Sequence, residues 1–166
     1  MIQDLIYKKS IFNYSSVKES IIPAIKCSKY LDNESSTEKH FTDYHISTDI
    51  PRIYEPTIIG HIYNHMRSFQ KDFNFNGINL HHMWFQWYPP GGFHDWHVHP
   101  LCHFTNVCYI SLPDKKVKTE IKDLNHNLIS IDVEEGDIVT FPAFLLHRSP
   151  ITTQEKIVIA FNTNII

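Results

Sequence analysis

The stretch Trp87-Tyr88-Pro89-Pro90-Gly91-Gly92-Phe93-His94-Asp95-Trp96-His97-Val98-His99-Pro100 decides how the chain is read. Its paired prolines and glycines mark a tight turn between two extended runs. Residues i and i+2 of a strand share a face. His97 and His99 therefore point the same way, with Asp95 next in that row and His94, of opposite parity, facing away. Two imidazoles so placed can grip one metal ion if a third ligand arrives from elsewhere. A second stretch, Gly136-Asp137-Ile138-Val139-Thr140-Phe141-Pro142-Ala143-Phe144-Leu145-Leu146-His147, supplies a candidate. It reads as a turn, a strand, a proline-bounded bend and a histidine.

The surroundings fit a β scaffold. After Gly77, short runs rich in β-branched and aromatic residues follow one another: Leu80–Tyr88, His94–His99, Thr105–Leu112, Val117–Lys122, Leu128–Val133, Asp137–Phe141 and Lys156–Thr163. Turn signals separate them, and no helical pattern intervenes, which predicts an all-β sandwich or barrel. Before Gly77 the pattern is helical. Ile58, Ile59, Ile62, Tyr63, Met66 and Phe69 form a stripe within Pro56–Phe73. Ser16-Val17-Lys18-Glu19 has capping-box spacing and predicts a helix over Val17–Tyr30, with Pro23 inside it. Ile2–Tyr14 reads as an edge strand, and the polar Asp32–Pro51 as a long loop or lid. The expectation is one domain over residues 1–166: a helical part, about 1–77, buttresses a β core, about 78–166.

At 166 residues the chain is long enough for a real core, and 42% hydrophobic content argues against disorder. A net charge of −3 gives no basic excess for phosphate backbones, so no nucleic-acid partner is expected. No apolar run reaches membrane-span length, and Met1–Tyr14 lacks signal-peptide character, so neither a membrane nor an export signal is expected. Cys27, Cys102 and Cys108 make no disulfide framework, which fits a cytoplasmic setting. Histidine is the enriched residue, at twelve copies.

The pair "YPPGGFHDWHVHP" and "GDIVTFPAFLLHRSPITTQEKIVIAFN" resembles the 2-oxoglutarate- and iron(II)-dependent dioxygenase superfamily. It is most similar to small bacterial and phage members with a His-x-His-Pro motif. The resemblance spans roughly Trp84 to Asn162. It implies a mainly β fold with flanking N-terminal helices, a double-stranded β-helix (a cupin-like jelly roll). It implies Fe(II) on His97, His99 and His147. It also implies that 2-oxoglutarate is a cosubstrate, its far carboxylate on Lys156, with Arg148 as a rival anchor and Tyr88 as a cosubstrate contact. The reaction implied is hydroxylation of a C–H bond in a small-molecule or peptide substrate, with release of succinate and carbon dioxide. Two departures stand out: the superfamily's usual pattern is His-x-Asp, and its usual anchor is Arg. Lysine meets a carboxylate as a point charge, without the fork of arginine.

Other readings stay open. Three histidines also suit a cupin-like metalloenzyme that does without 2-oxoglutarate, such as a thiol dioxygenase. A third alternative is a non-catalytic β-sandwich binding module. Lys156 can equally be a solvated residue at a strand start, and Tyr88 a core tyrosine. Asp95 is either an orienting partner for an imidazole or a surface carboxylate. Asn162 either bonds near the site or ends its strand. His103 lines the pocket or sits in the Leu101–Thr105 loop. Trp84, Trp87 and Trp96 read as core or pocket wall. His40, His45, His61, His65, His81, His82 and His126 read as ordinary polar residues.

Overall fold

A computed structural model describes residues 2–28 and 39–166. The end of the predicted first helix, Lys29 and Tyr30, and residues 32–38 of the predicted loop lie outside them. The strands are β1 (Tyr7–Ser10), β2 (Phe41–Thr42), β3 (Ile78–Tyr88), β4 (His94–His97), β5 (Phe104–Ser111), β6 (Glu120–Lys122), β7 (Leu128–Ile129), β8 (Asp137–Pro142), β9 (His147–Ser149) and β10 (Lys156–Ile165). The helices are α1 (Tyr14–Lys26) and α2 (Glu55–Asp72). Two antiparallel sheets result, a larger one in the order β1-β8-β5-β10-β3-β2 and a smaller one in the order β4-β9-β6-β7.

Alternation along β5 and β10 builds two cores. Cys108, Ile110, Ile157, Ile159 and Phe161 face the helices and pack with Ile21, Ile25, Ile58, Ile62 and Met66. Val107, Tyr109 and Val158 face the other way, into a second cluster with Ile121, Val139, Phe141 and Leu145. Both faces of β10 are thus covered, which explains its apolar run from Ile157 to Phe161. Each fully buried Ile or Phe there contributes about 1.5–3 kcal/mol. No helix among the described residues is long and apolar enough to cross a membrane.

The differences from the sequence reading are local. Helix α1 starts at Tyr14, ahead of the predicted capping box, and its N-cap Asn13 makes no side-chain cap bond. The start is set by tertiary contact instead. The Tyr14 hydroxyl donates to the Ile110 carbonyl, and its ring lies where a Cβ on Gly136 would be, 2.6 Å from Tyr14 Cγ. Gly136 also has a φ of +88°, so the turn into β8 requires glycine twice over. Strand β1 is indeed an edge strand, shorter than Ile2–Tyr14 and preceded by a 3₁₀ turn over Ile2–Leu5. The predicted Val117–Lys122 strand begins only at Glu120, after a 3₁₀ turn at Lys115–Val117. The predicted Leu128–Val133 strand stops at Ile129, although Val133 remains buried in the second cluster. Strands β2 and β9 were not predicted; at two and three residues they are too short to show periodicity.

Candidate metal centre

Gly91 and Gly92 shape the approach to β4. Gly91 has a φ of +82°, and a Cβ on Gly92 would stand 2.4 Å from the Lys39 carbonyl oxygen. Strand β4 then pairs with β9, His94 opposite Ser149 and His97 opposite His147. Three steps along β4 match two along β9, which is a β-bulge.

The bulge resets parity, so the expectation that His94 faces away is wrong. Its ring stacks on His97 with centroids 3.9 Å apart, and it lines the same cavity. The same irregularity takes Asp95 out of the row: it is exposed, and its carboxylate accepts from Trp96 N–H at 2.7 Å. It is the Asp95 backbone carbonyl, 2.6 Å from His97 Nδ1, that orients an imidazole.

His99 lies just past β4, held by its N–H donating to the Ala143 carbonyl at 3.1 Å. The turn after β8 carries Ala143 and leads to His147. One ligand atom from each of His97, His99 and His147 lies within 4.8 Å of the others. Their outer nitrogens are tied down. His97 Nδ1 meets the Asp95 carbonyl, and His147 Nδ1 meets the Leu145 carbonyl at 2.9 Å. Each of these rings thereby keeps its proton on Nδ1 and leaves Nε2 bare. His99 Nδ1 faces Asn162 Nδ2 at 3.1 Å, and Thr105 Oγ1 donates to Asn162 Oδ1.

Burial, then the neighbouring His97, pulls His99 down to about 4 and His94 down to about 3. Burial likewise holds His147 well below the usual imidazole range. The rings of His99 and His147 are therefore neutral at pH 7, the form that binds a metal. Three imidazoles with anchored outer nitrogens fit a borderline divalent cation such as Fe(II) or Zn(II).

The far end of the cavity holds Lys156. It is 1% exposed, which removes the solvated reading. Its ammonium donates to the Val117 carbonyl at 2.8 Å and to Ser149 Oγ at 2.5 Å, and lies 4.8 Å from the Tyr88 ring centre. Burial lowers its pKa to about 7, opposed by the Glu120 carboxylate. Tyr88 is buried, and its hydroxyl donates to Gln86 Oε1 at 2.8 Å. The Gln86 amide then gives its N–H to His94 Nδ1 at 2.9 Å. A polar chain thus runs from the tyrosine beside the lysine to the ring stacked on His97. Arg148 lines the same cavity, pairs with Glu120 at 2.7 Å and lies over Trp96, 4.7 Å from the ring centre. The free space is about 20 Å³, room for roughly one water.

Sequence reading missed Gln86 and Ser149. Both were findable by period two: Gln86 shares a strand face with Tyr88, and Ser149 with His147. Trp84 is pocket wall, stacked 5.5 Å from His99 at 19°. Trp87 and Trp96 lie elsewhere, Trp87 against Phe41 and Trp96 between Lys122 and Arg148. His103 is exposed and structural: its Nδ1 accepts from Ile165 N–H at 3.0 Å. Of the histidines read as ordinary, His40 stacks on His94, with ring centres 5.1 Å apart.

No family model matches the sequence, and no curated protein does. The fold has solved counterparts. A Pseudomonas putida prolyl-4-hydroxylase superposes with a TM-score of 0.68 at 9% identity, over 98% of this chain and 97% of that one. A viral collagen prolyl hydroxylase of Paramecium bursaria Chlorella virus-1, solved as a 2OG complex, gives 0.62 at 14% identity over 98% and 96%. A Trichoplax adhaerens prolyl hydroxylase, solved with a hypoxia inducible factor peptide, gives 0.68 at 10% identity over 98% and 87%. The chain therefore has the fold of the 2OG-Fe(II) oxygenases, a group that a Burkholderia pseudomallei structure also represents.

Proposed function

We propose that this protein is a non-haem iron oxygenase that uses 2-oxoglutarate to hydroxylate a small-molecule or peptide substrate. In this reading the two sheets form one double-stranded β-helix domain over residues 1–166. The observation that carries it is one cavity with three converging imidazoles on one side and, on the other, a buried ammonium hydrogen-bonded to a carbonyl and a hydroxyl but to no carboxylate.

His97, His99 and His147 would hold Fe(II), each through its inner nitrogen. Bound Fe(II) with 2-oxoglutarate supplies the dioxygen chemistry that hydroxylates a C–H bond and yields succinate and carbon dioxide. Lys156 would receive the far carboxylate, and Ser149, already bonded to it, holds the ammonium in place. Tyr88 and Gln86 keep His94 fixed against His97. Val98 and Leu101, within two residues of His99, and Phe144, next to the Ala143 whose carbonyl holds the His99 N–H, are exposed apolar residues that would meet an apolar flank of the substrate. The three cysteines are free thiols, in keeping with a cytoplasmic setting.

The three-histidine set also keeps a 2-oxoglutarate-independent oxygenase in view, and Lys156 is what argues against it. Anaerobic titration with Fe(II) and then 2-oxoglutarate, followed by visible spectroscopy, tests the proposal. A metal-to-ligand charge-transfer band that weakens in Lys156→Met is the expected result. Tight iron binding with no such band would overturn the 2-oxoglutarate assignment and leave the alternative.

A further inference from the structure

A larger cavity lies on the helix side of the main sheet, away from His97, His99 and His147, with His61 and His65 among its lining residues. It has a volume of about 470 Å³, within the range of small-molecule sites. Strand β1 and helix α2 form its walls. Lys9 reaches across from the strand, its ammonium 2.5 Å from Ser68 Oγ. Arg67 and Lys71 stand one helical turn apart on α2 and line the same groove. Three cations thus line one groove, Arg67 with its guanidinium donating to Asn64 Oδ1, and no carboxylate is among the residues lining it.

That grouping runs against the rest of the molecule. The chain as a whole carries a net −3, and six of its fourteen described lysines and arginines pair with an acid. Lys8, Lys18, Lys26, Arg52, Lys115 and Arg148 each pair with a carboxylate. Lys9, Arg67 and Lys71 make no ion pair among the described residues. Asp72, next in sequence to Lys71, accepts from the Tyr7 hydroxyl instead, at 3.0 Å. Like charges held one turn apart repel, and a bound anion removes that repulsion. Beside the cations the groove has an apolar end, with Ile11 and Phe12; Phe12 is 89% exposed.

We infer that the groove between β1 and α2 is a second binding site, for a small polyanion whose phosphate or carboxylate groups sit among Lys9, Arg67 and Lys71. The inference does not rest on the metal centre, and its test uses protein stripped of metal and exchanged into chelator-free buffer of low ionic strength.

Inorganic triphosphate and citrate are titrated separately by calorimetry. Saturable binding of one anion per chain is expected for at least one of them. Tighter triphosphate binding identifies a phosphate-bearing ligand, and tighter citrate binding a carboxylate-bearing one. The double variant Arg67→Ala/Lys71→Ala should weaken binding at least tenfold, and Lys9→Gln should weaken it too. Arg67 and Lys71 are exposed, so these variants keep the fold, and circular dichroism checks it. Lys156→Met should leave the affinity unchanged. The inference is overturned if neither anion saturates, if the double variant binds like the parent, or if Lys156→Met alone abolishes binding.

Discussion

Asn162 shows how much a single residue can decide. A histidine that binds metal through Nε2 carries its proton on Nδ1, and that proton needs an acceptor. The Asp95 and Leu145 carbonyls serve His97 and His147 in this way. Asn162 can do the same for His99 only by turning its oxygen toward the ring, so that its nitrogen faces Thr105. Asn162→Asp supplies the acceptor outright and should raise metal affinity. Asn162→Leu should lower it about 10–100-fold, measured by competition against a chromogenic chelator. His147→Ala should abolish stoichiometric metal binding, read by elemental analysis, while leaving the circular dichroism spectrum unchanged. Lys156 adds a pH dependence. With a pKa near 7 in the empty site, it must take up a proton to meet a dicarboxylate at higher pH. Apparent 2-oxoglutarate affinity should therefore fall by up to tenfold per pH unit above about 7. In Lys156→Arg that fall should vanish, because guanidinium stays charged.

At the scale of elements, the sequence was readable where the pattern was long. Helix α2 buries a clear stripe, β3 is partly alternating, and β5, β8 and β10 are runs buried on both faces; their types were evident from that. His97, His99 and His147 could be singled out because they flank recognisable turns. Three features were hidden. The bulge in β4 leaves no composition signal, yet it turns His94 into the cavity and Asp95 out of it. The start of α1 depends on Tyr14 meeting Gly136, residues more than a hundred positions apart, and not on its local capping box. Strand β9 is visible only through its partners. Gly136→Ala tests the second point. Its positive φ and the Tyr14 contact should make it destabilising by about 1–3 kcal/mol in urea unfolding. By contrast Ser16→Ala, which removes the predicted cap, should cost only a few tenths, because Ser16 already lies within α1.

For the whole molecule, the buried histidines make stability depend on acid. His65 is 3% exposed, and its Nε2 is 2.7 Å from Thr140 Oγ1. Asn106 gives its amide protons to Phe161 and Thr163, so its oxygen takes the Thr140 proton, and Thr140 must accept from His65. Nδ1 is then a bare acceptor without a partner. Burial lowers this residue's pKa from 6.5 to about 4. The folded state thus resists a proton that the unfolded chain accepts. Nothing is lost above pH 6.5; stability falls between 6.5 and 4, by roughly 3 kcal/mol from this residue. Denaturation of the parent and of His65→Gln across that window would measure it, the variant showing a flatter profile.

Strand β10 carries a last consequence. Lys156, Val158 and Ala160 line the cavity in turn, and Asn162 completes the row against His99. The strand therefore works as a ruler whose graduations recur every two residues, about 7 Å. Such a scale is far coarser than one methylene. Under the proposed function, discrimination between diacids of neighbouring chain length would come from the reach of the side chain at 156, which would make that position the natural place to retune the cosubstrate.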